Sequence, residues 1–491
     1  MKRSLAFVLV LAAPAIFAAD WSAKGVKIEP PTLSVNGGDP RAAVWAKGFN
    51  ALWPELFANL KNPRPPFASR YVQPGPSWPD AVYLWDTAFI SEVWRNWDLP
   101  TAMEINLPVL DQAKNGRLQH SVGPWDKTDD TQPPVMAWSV WRKYESGAGI
   151  EYLRRCWPAL VAYNRWLYDH RRHPSGLFFW VHPFESGMDN SPRFTNRDVS
   201  KMSDMRNLAA IDLSSYLVLQ NRTLAKMARE LELASEAAGY DAKANELRTL
   251  IEARLWDEET GLYYDRDLTA DRLIKVKSVA SLLPLFCGVP DQARAHRLLA
   301  HIKNPAEFDT PLPLPSVARD EPSFELDMWR GPVWINTTYM IVLGLCDYGY
   351  RRDASVIAFR TVDRVYAEAI DDSGFIEYYD PEQPGIKRLH RKTDLGRILR
   401  GDDKPRPHFA GWTGLVNNLV LETLIGLDPT GRKLCPSFPP EAAGMGFRLD
   451  LPSRRLDLRI EVGPGGTTSG QVDLDGRGFA FRLGEGQCAE L

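Results

Sequence analysis

Residues 184–193, Phe184-Glu185-Ser186-Gly187-Met188-Asp189-Asn190-Ser191-Pro192-Arg193, set two carboxylates, hydroxyl and amide groups and an arginine around one glycine. Glycine, Asn-Ser and proline make this a turn or loop by local chemistry, and catalytic groups concentrate on loops held by a rigid scaffold. The approach Phe178-Phe179-Trp180, followed by His182, is an apolar wall leading into the loop. A carboxylate half-shielded by such a wall has its pKa pushed up, the property a general acid needs at neutral pH. A second candidate is Glu377, set between Ile376 and Tyr378-Tyr379 after the turn at Gly374. Glycoside hydrolysis needs two such groups, one to protonate the leaving oxygen and one to activate water or to attack. Asp189 and Glu377 are the pair taken for these roles, with Glu185, Asp86, Asp380 and Asp212 as rivals that residue type does not eliminate.

Four further stretches combine aromatic, charged and Gly/Pro residues. They are 82–89 with Tyr83, Trp85 and Asp86; 130–134 with Gln132; 328–336 with Trp329, Arg330, Gly331 and Trp334; and 408–414 with Trp412. Each flanks a helical pattern, so all can reach one rim of a helical body. Trp and Tyr faces stack on sugar C–H surfaces, and single Asp, Gln and Arg groups bind hydroxyls, so together they suit a monosaccharide subsite. The chain carries 17 Trp, many beside polar or Gly/Pro-rich segments, although at least half of them must also fill core.

The elements that would hold these stretches are helices. Apolar spacing predicts them over 41–60, 86–97, 100–114, 132–145, 150–172, 206–237, 241–255, 276–287, 291–302, 333–349, 353–371 and 409–426. In consecutive pairs these close as six hairpins, an all-α toroid; a simple bundle or a solenoid is the competing architecture. From residue 429 the pattern changes to alternating apolar and polar residues between glycine-rich turns, over 444–451, 456–462 and 478–483, which reads as a small antiparallel β appendage. The expected organisation is a leader over 1–19, a helical catalytic domain over 20–428 and the β appendage over 429–491.

With 491 residues, 44% hydrophobic and 25% charged, the chain is globular rather than disordered. A net charge of −3 with scattered Lys and Arg calls for neither nucleic acid nor an anionic membrane, and favours a small neutral partner, for which the aromatic stretches suggest a carbohydrate. The start, MKRSLAFVLVLAAPAIFAAD, has the basic, apolar and small-residue regions of a secretory signal, so the mature protein is expected to be secreted or periplasmic without membrane insertion. Five cysteines, at 156, 287, 346, 435 and 488, have no CxxC and no Cys/His clustering, which makes neither a disulfide framework nor a zinc site, though one disulfide stays open. No spacing implies a metal or a cofactor.

In this order, ESGMDNSPR, WDT with a following Phe, TQPP, WRGPVW with Asn, GFIEYYDP and GWTG resemble the inverting α-glycosidases with an (α/α)6 barrel. That group includes the processing α-glucosidase I family, the mannosylglycerate and glucosylglycerate hydrolases and, more distantly, the trehalases; the resemblance spans about residues 45–426. It implies Asp189 as general acid and Glu377 as general base acting through water. It also implies Tyr83, Trp85, Asp86, Gln132, Arg193, Trp329, Arg330, Gly331, Trp334 and Trp412 around the sugar, with Glu185 as a supporting or subsite group. The expected function is a secreted exo-acting hydrolase of terminal α-linked glucose or mannose. A polysaccharide lyase using His182 or Tyr264, and a non-catalytic sugar-binding protein, are the alternatives. Residues 381–407 depart from the pattern with Lys387, Arg388, His390, Arg391, Lys392, Arg397, Arg400, Lys404 and Arg406. Interspersed Asp394, Asp402 and Asp403 favour a solvated surface loop there over a basic lid for an acidic aglycone.

Overall fold

The computed structural model describes residues 20–123, 130–195, 205–369, 374–391 and 403–491. The leader, Trp125 and much of the basic stretch, including Lys392, Asp394, Arg397, Arg400 and Asp402, lie outside the described residues. In chain order the helices are α1 (Arg41–Asn59), α2 (Leu84–Trp97), α3 (Leu99–Glu104), α4 (Leu107–Asp111), α5 (Met136–Glu145), α6 (Ile150–His170) and α7 (Pro192–Thr195). They continue with α8 (Ile211–Glu230), α9 (Ala234–Arg254), α10 (Pro284–Cys287), α11 (Gln292–Ile302), α12 (Ile335–Asp347) and α13 (Arg351–Glu368), then a terminal segment, 410–424, of two short α turns and a π turn.

Two kinds of helix build the body. One set packs in a closed circuit: α2 on α5, α5 on α8, α8 on α10, α10 on α12, α12 on the 410–424 segment, and that segment back on α2. Helices surrounded in this way must be apolar or internally satisfied on every side; α2 is buried at each of its residues. The other set lies outside, α6 against α5, α9 against α8 and α13 against α12. These bury one stripe at helical spacing, as in Tyr152, Leu153, Cys156, Leu160, Tyr163 and Leu167 of α6. Deep in the circuit the polar residues of α2 are answered by neighbours. Lys143 of α5 pairs with Glu92 and donates to Ser91 Oγ at 2.6 Å, while Arg142 and Tyr339 reach Glu422 Oε2 at 2.6 and 2.8 Å. Buried ions need such mutual pairing to be tolerated.

The segmentation differs from the expected pattern where local backbone chemistry overrides periodicity. The stretch 100–114 divides into α3 and α4 because Pro100 and Pro108 each start a helix, where a missing N–H costs nothing. Asp98 caps α3 by accepting from Thr101 N at 3.1 Å. Between α8 and α9 the chain reverses at Glu232, with φ 63, a break that no glycine or proline announces. Over 276–287 only a 3-10 turn and the short α10 are helical.

Five antiparallel strands form the sheet, in the order Thr32–Val35, Gly446–Leu451, Leu456–Val462, Thr468–Leu474, Arg477–Leu483. Its first strand comes from the Pro/Gly-rich segment after the leader, in register Thr32 with Asp450 and Val35 with Phe447. The sheet therefore takes a strand from outside the C-terminal region assigned to it. Strand Leu456–Val462 buries alternate residues, and that face joins the helical core through Trp45, stacked on Phe447 at 5.7 Å. A disulfide links Cys435 to Cys488 and ties down the C-terminus. Among the described residues no helix is long and apolar enough to cross a membrane.

Candidate active site

The stretch 183–190 is shaped by its glycine. A 3-10 turn, Pro183–Ser186, ends at Gly187 with φ 70. A Cβ at Gly187 would sit 2.2 Å from Cζ2 of Trp85, so the chain lies directly on that indole ring. This contact delivers Asp189 to a cavity of about 120 Å³ at the N-terminal ends of α2, α5 and α12. The next residue clamps the loop: Asn190 Nδ2 donates to Asp327 O at 3.2 Å, and its Oδ1 accepts from Trp329 N at 2.9 Å.

Glu377 arrives from the opposite wall. Its N–H donates to Arg406 O at 3.1 Å, and the following Tyr379 pairs with Val333 through hydrogen bonds of 2.8 and 3.0 Å. Trp412 Nε1 donates to Glu377 O at 3.3 Å, and Thr413 Oγ1 to Ile376 O at 2.8 Å. The Glu377 carboxylate is buried and ion-paired with Arg391. Aromatic rings complete the wall: Trp329 and Trp334 stack at 3.9 Å, Trp334 meets Tyr378 at 4.7 Å and Trp85 meets Trp412 at 5.5 Å. Trp334 is fixed by its Nε1 bond to Met328 O, 2.9 Å. Asp86 and Gln132 add polar groups, Gln132 Oε1 accepting from Trp85 N at 3.2 Å and its Nε2 meeting His120 Nε2 at 3.2 Å.

The electrostatics separate the carboxyl groups. Burial, with the negative charge of Glu377 adding to it and Arg391 opposing it, lifts Asp189 to about 7. Burial, with the charges of Glu377 and Asp189, raises Asp86 well above the usual carboxylate range. Burial pushes His120 down to about 4, which leaves it a neutral imidazole at pH 7. The cavity thus holds two carboxyl groups that burial pushes towards the protonated form, Asp189 and Asp86, beside one held against an arginine, Glu377, an arrangement that offers the division of labour an acid/base pair requires.

The profile of the mannosylglycerate hydrolase MGH1-like glycoside hydrolase domain matches residues 74–388. The chain belongs to this family. A mannosylglycerate hydrolase of Thermus thermophilus is 33% identical over 381 residues, covering 61% of this chain and 88% of that protein. The crystal structure of a GH63 mannosylglycerate hydrolase from Thermus thermophilus in complex with glucose has a TM-score of 0.61 at 29% identity, across 76% of this chain and 99% of that one. The neutral trehalase of Saccharomyces cerevisiae, 14% identical, shares the fold with a TM-score of 0.53 over 76% of this chain and 80% of that one. The family expected from the order of the motifs is the family found.

In this MGH1-like glycoside hydrolase, Asp189, Glu377, Tyr83, Trp85, Asp86, Gln132, Trp329, Trp334 and Trp412 line one cavity. Four other residues expected near the sugar lie behind its wall. Glu185 is fully buried, pairs with Arg171 and accepts from Val181 N at 2.8 Å and Thr131 N at 3.2 Å. Arg193 points backward to Asp212 and Asp265, tying the loop to the start of α8. Arg330 reaches Ser323 O at 3.4 Å and Glu325 at 3.6 Å. Gly331 is a spacer: its N–H donates to Ser316 Oγ at 3.0 Å, and a Cβ there would meet Glu325 O at 2.4 Å. Among the rivals, Asp212 also accepts from Trp180 Nε1 at 3.0 Å, and Asp380 caps its own turn through Glu382 N at 2.8 Å. Tyr264 is buried away from the cavity, and the His182 ring packs 4.5 Å from that of Phe184.

Arg391, His120 and Phe184 line the cavity without having been singled out for it, Phe184 being 42% exposed. For Arg391 the available signal was its place shortly after Glu377 in a cation-rich stretch. For Asn190 it was adjacency to Asp189.

Proposed function

We propose that this enzyme cleaves a terminal α-linked glucose or mannose from a small glycoside or oligosaccharide, with inversion at the anomeric carbon. In this reading Asp189 gives its proton to the glycosidic oxygen as the bond breaks. Glu377 takes a proton from the attacking water, and Asp86 and Gln132 bind hydroxyls of the sugar. The Trp329/Trp334 pair, Trp85 and Trp412 supply the apolar faces. The observation that carries the reading is the meeting of Asp189 and Glu377, from distant sequence, in one aromatic cavity that disfavours charge on the first and pairs charge on the second. The small cavity, below the ~300–1,000 Å³ usual for drug-sized ligands, supports removal of one terminal residue at a time.

The closed helix circuit and the family support a six-hairpin (α/α)6 barrel as the architecture. Export is supported by the leader pattern and by the Cys435–Cys488 pair, since disulfides persist in oxidising compartments. Mannosylglycerate enters as a substrate candidate from the names of the relatives.

The test is a panel of aryl α-glucosides and α-mannosides, short α-gluco-oligosaccharides, trehalose, glucosylglycerate and mannosylglycerate. Release of glucose or mannose from at least one is expected, and Asp189→Asn and Glu377→Gln each lower turnover by about 10²–10⁴ with folding retained. No release from the whole panel, or near-wild-type turnover in either variant, refutes it.

A further inference from the structure

The cavity gathers Asp86, Asp189 and Glu377, and Arg391 is the only Lys or Arg among the described residues that line it. Three carboxyl groups in so small a space cannot all ionise without a counter-charge. The position of that counter-charge therefore decides which of them keeps a proton. Arg391 is 6% exposed, and its Nη2 ends on Glu377 Oε2. Its guanidinium lies 5.8 Å from the centre of the Tyr378 ring.

The backbone around Arg391 holds it there. Arg391 N donates to Asp403 O at 2.7 Å, His390 N to Leu326 O at 2.8 Å, and Tyr378 OH to His390 O at 2.7 Å. Arg171 and Arg193 are also buried and paired, but their partners lie outside the cavity. Of the three, Arg391 alone ends on a cavity carboxylate.

We propose that Arg391 is a positioning residue that assigns the acid and base roles: fixed on Glu377 Oε2, its guanidinium marks Glu377 as the base and leaves Asp189, which has no such contact among the described residues, to serve as the acid. This rests on the hydrolase reading above. The arrangement is directional. Beyond burial, the two act on Asp189 in opposite senses: Arg391 pulls it towards its ionised form, and the Glu377 anion pushes it, less strongly, towards its protonated form. Other charged or titratable groups around the pair include Asp86 on α2, Tyr83, His120, Asp327 and Tyr378, Arg406, whose backbone N–H reaches Glu377 Oε2 at 3.4 Å, and His390, whose Nδ1 meets Asp403 at 3.0 Å. Lys404 is committed to Leu389 O at 2.9 Å.

Replacing the cation with a neutral chain disfavours both anions, so both groups hold their protons to higher pH. In Arg391→Met the acid limb of kcat/KM moves up by about one pH unit or more, the effect typical of an Arg beside a carboxylate, so activity at pH values well below the wild-type midpoint of that limb falls about tenfold beyond any loss at the optimum. The alkaline limb moves the same way. Arg391→Lys keeps the wild-type midpoints even where kcat drops, and Arg391→Gln repeats the test should the Met variant misfold. A merely structural role lowers kcat or stability with both midpoints unmoved, and that result overturns the proposal.

A second readout needs no substrate. 13C-carboxyl NMR titration, with Asp189→Asn and Glu377→Gln assigning the two signals, is expected to show both titrating higher in Arg391→Met than in wild type. If wild type cleaves nothing in the panel, the hydrolase reading fails while this titration still decides the role of Arg391; unshifted signals overturn it.

Discussion

Raising the pH past neutrality strips the proton from Asp189, and turnover should fall with it. Burial first, then the charge of Glu377, lift this carboxyl from 3.8 to about 7 against the pull of Arg391. A lift of about 3 pH units is worth about 4 kcal/mol, at about 1.4 kcal/mol per unit. At pH 6 such a group is about 90% protonated, whereas an ordinary aspartic acid is below about 1%. With Asp189 as the acid, kcat/KM holds its plateau up to about pH 7 and then falls about tenfold per unit.

The same group also shapes stability. Its folded pKa lies above its unfolded one, so its contribution is fully present below about pH 4 and is lost as pH rises through about 7. Asp189→Asn removes that loss. The variant is therefore more stable than wild type at pH 8 by up to about 4 kcal/mol, less whatever the open edge towards the cavity screens, and gains little at pH 4. Urea unfolding at pH 4 and pH 8, beside the pH–rate profile, measures both. An alkaline limb near pH 4–5, or equal stability differences at the two pH values, refutes the assignment of Asp189.

Other perturbations reach the frame of the site. Gly187→Ala forces a left-handed backbone on an L side chain and drives its Cβ into Trp85; strain of about 1–2 kcal/mol and overpacking of about 1–3 kcal/mol should appear together in urea unfolding, with turnover reduced. Glu185→Leu removes the carboxylate that Arg171 pairs with in the buried wall, costing about 3–5 kcal/mol of stability, while KM of the folded enzyme changes little; a large rise in KM with unchanged stability would instead place Glu185 on the substrate. Replacing Cys435 and Cys488 by Ser lowers unfolding stability by up to about 4 kcal/mol, the chain-entropy figure for a loop of this length, and an unchanged denaturation midpoint would contradict the linkage.

Much of the site could be read from the chain because each contributing stretch declares itself locally. Trp85-Asp86, Gln132 before Pro133-Pro134, Trp334 and Trp412 each set a polar group or an indole at or just before a helix start, and a helix start on an inner element leads to the cavity, while Glu377 stands out as a carboxylate between apolar residues. What stayed hidden was direction. Glu185 and Asp189 share one loop, yet the 3-10 turn and the reversal at Gly187 send one carboxylate back to Arg171 and the other forward. Arg391 is indistinguishable by type from the cations near it, and only the backbone bonds around His390 turn it inward. The strand Thr32–Val35 pairs with residues more than four hundred positions away, a contact that alternation alone cannot locate. Glu232 broke an apolar run without any of the residues that usually mark a break.

The central claim is that Asp189 protonates the leaving oxygen while Glu377 directs a water to the opposite face of the sugar. Proton NMR of the first monosaccharide released from an α-glycoside, recorded before mutarotation, tests it most directly. The β-anomer is expected as the initial product, and initial release of the α-anomer would contradict the claim.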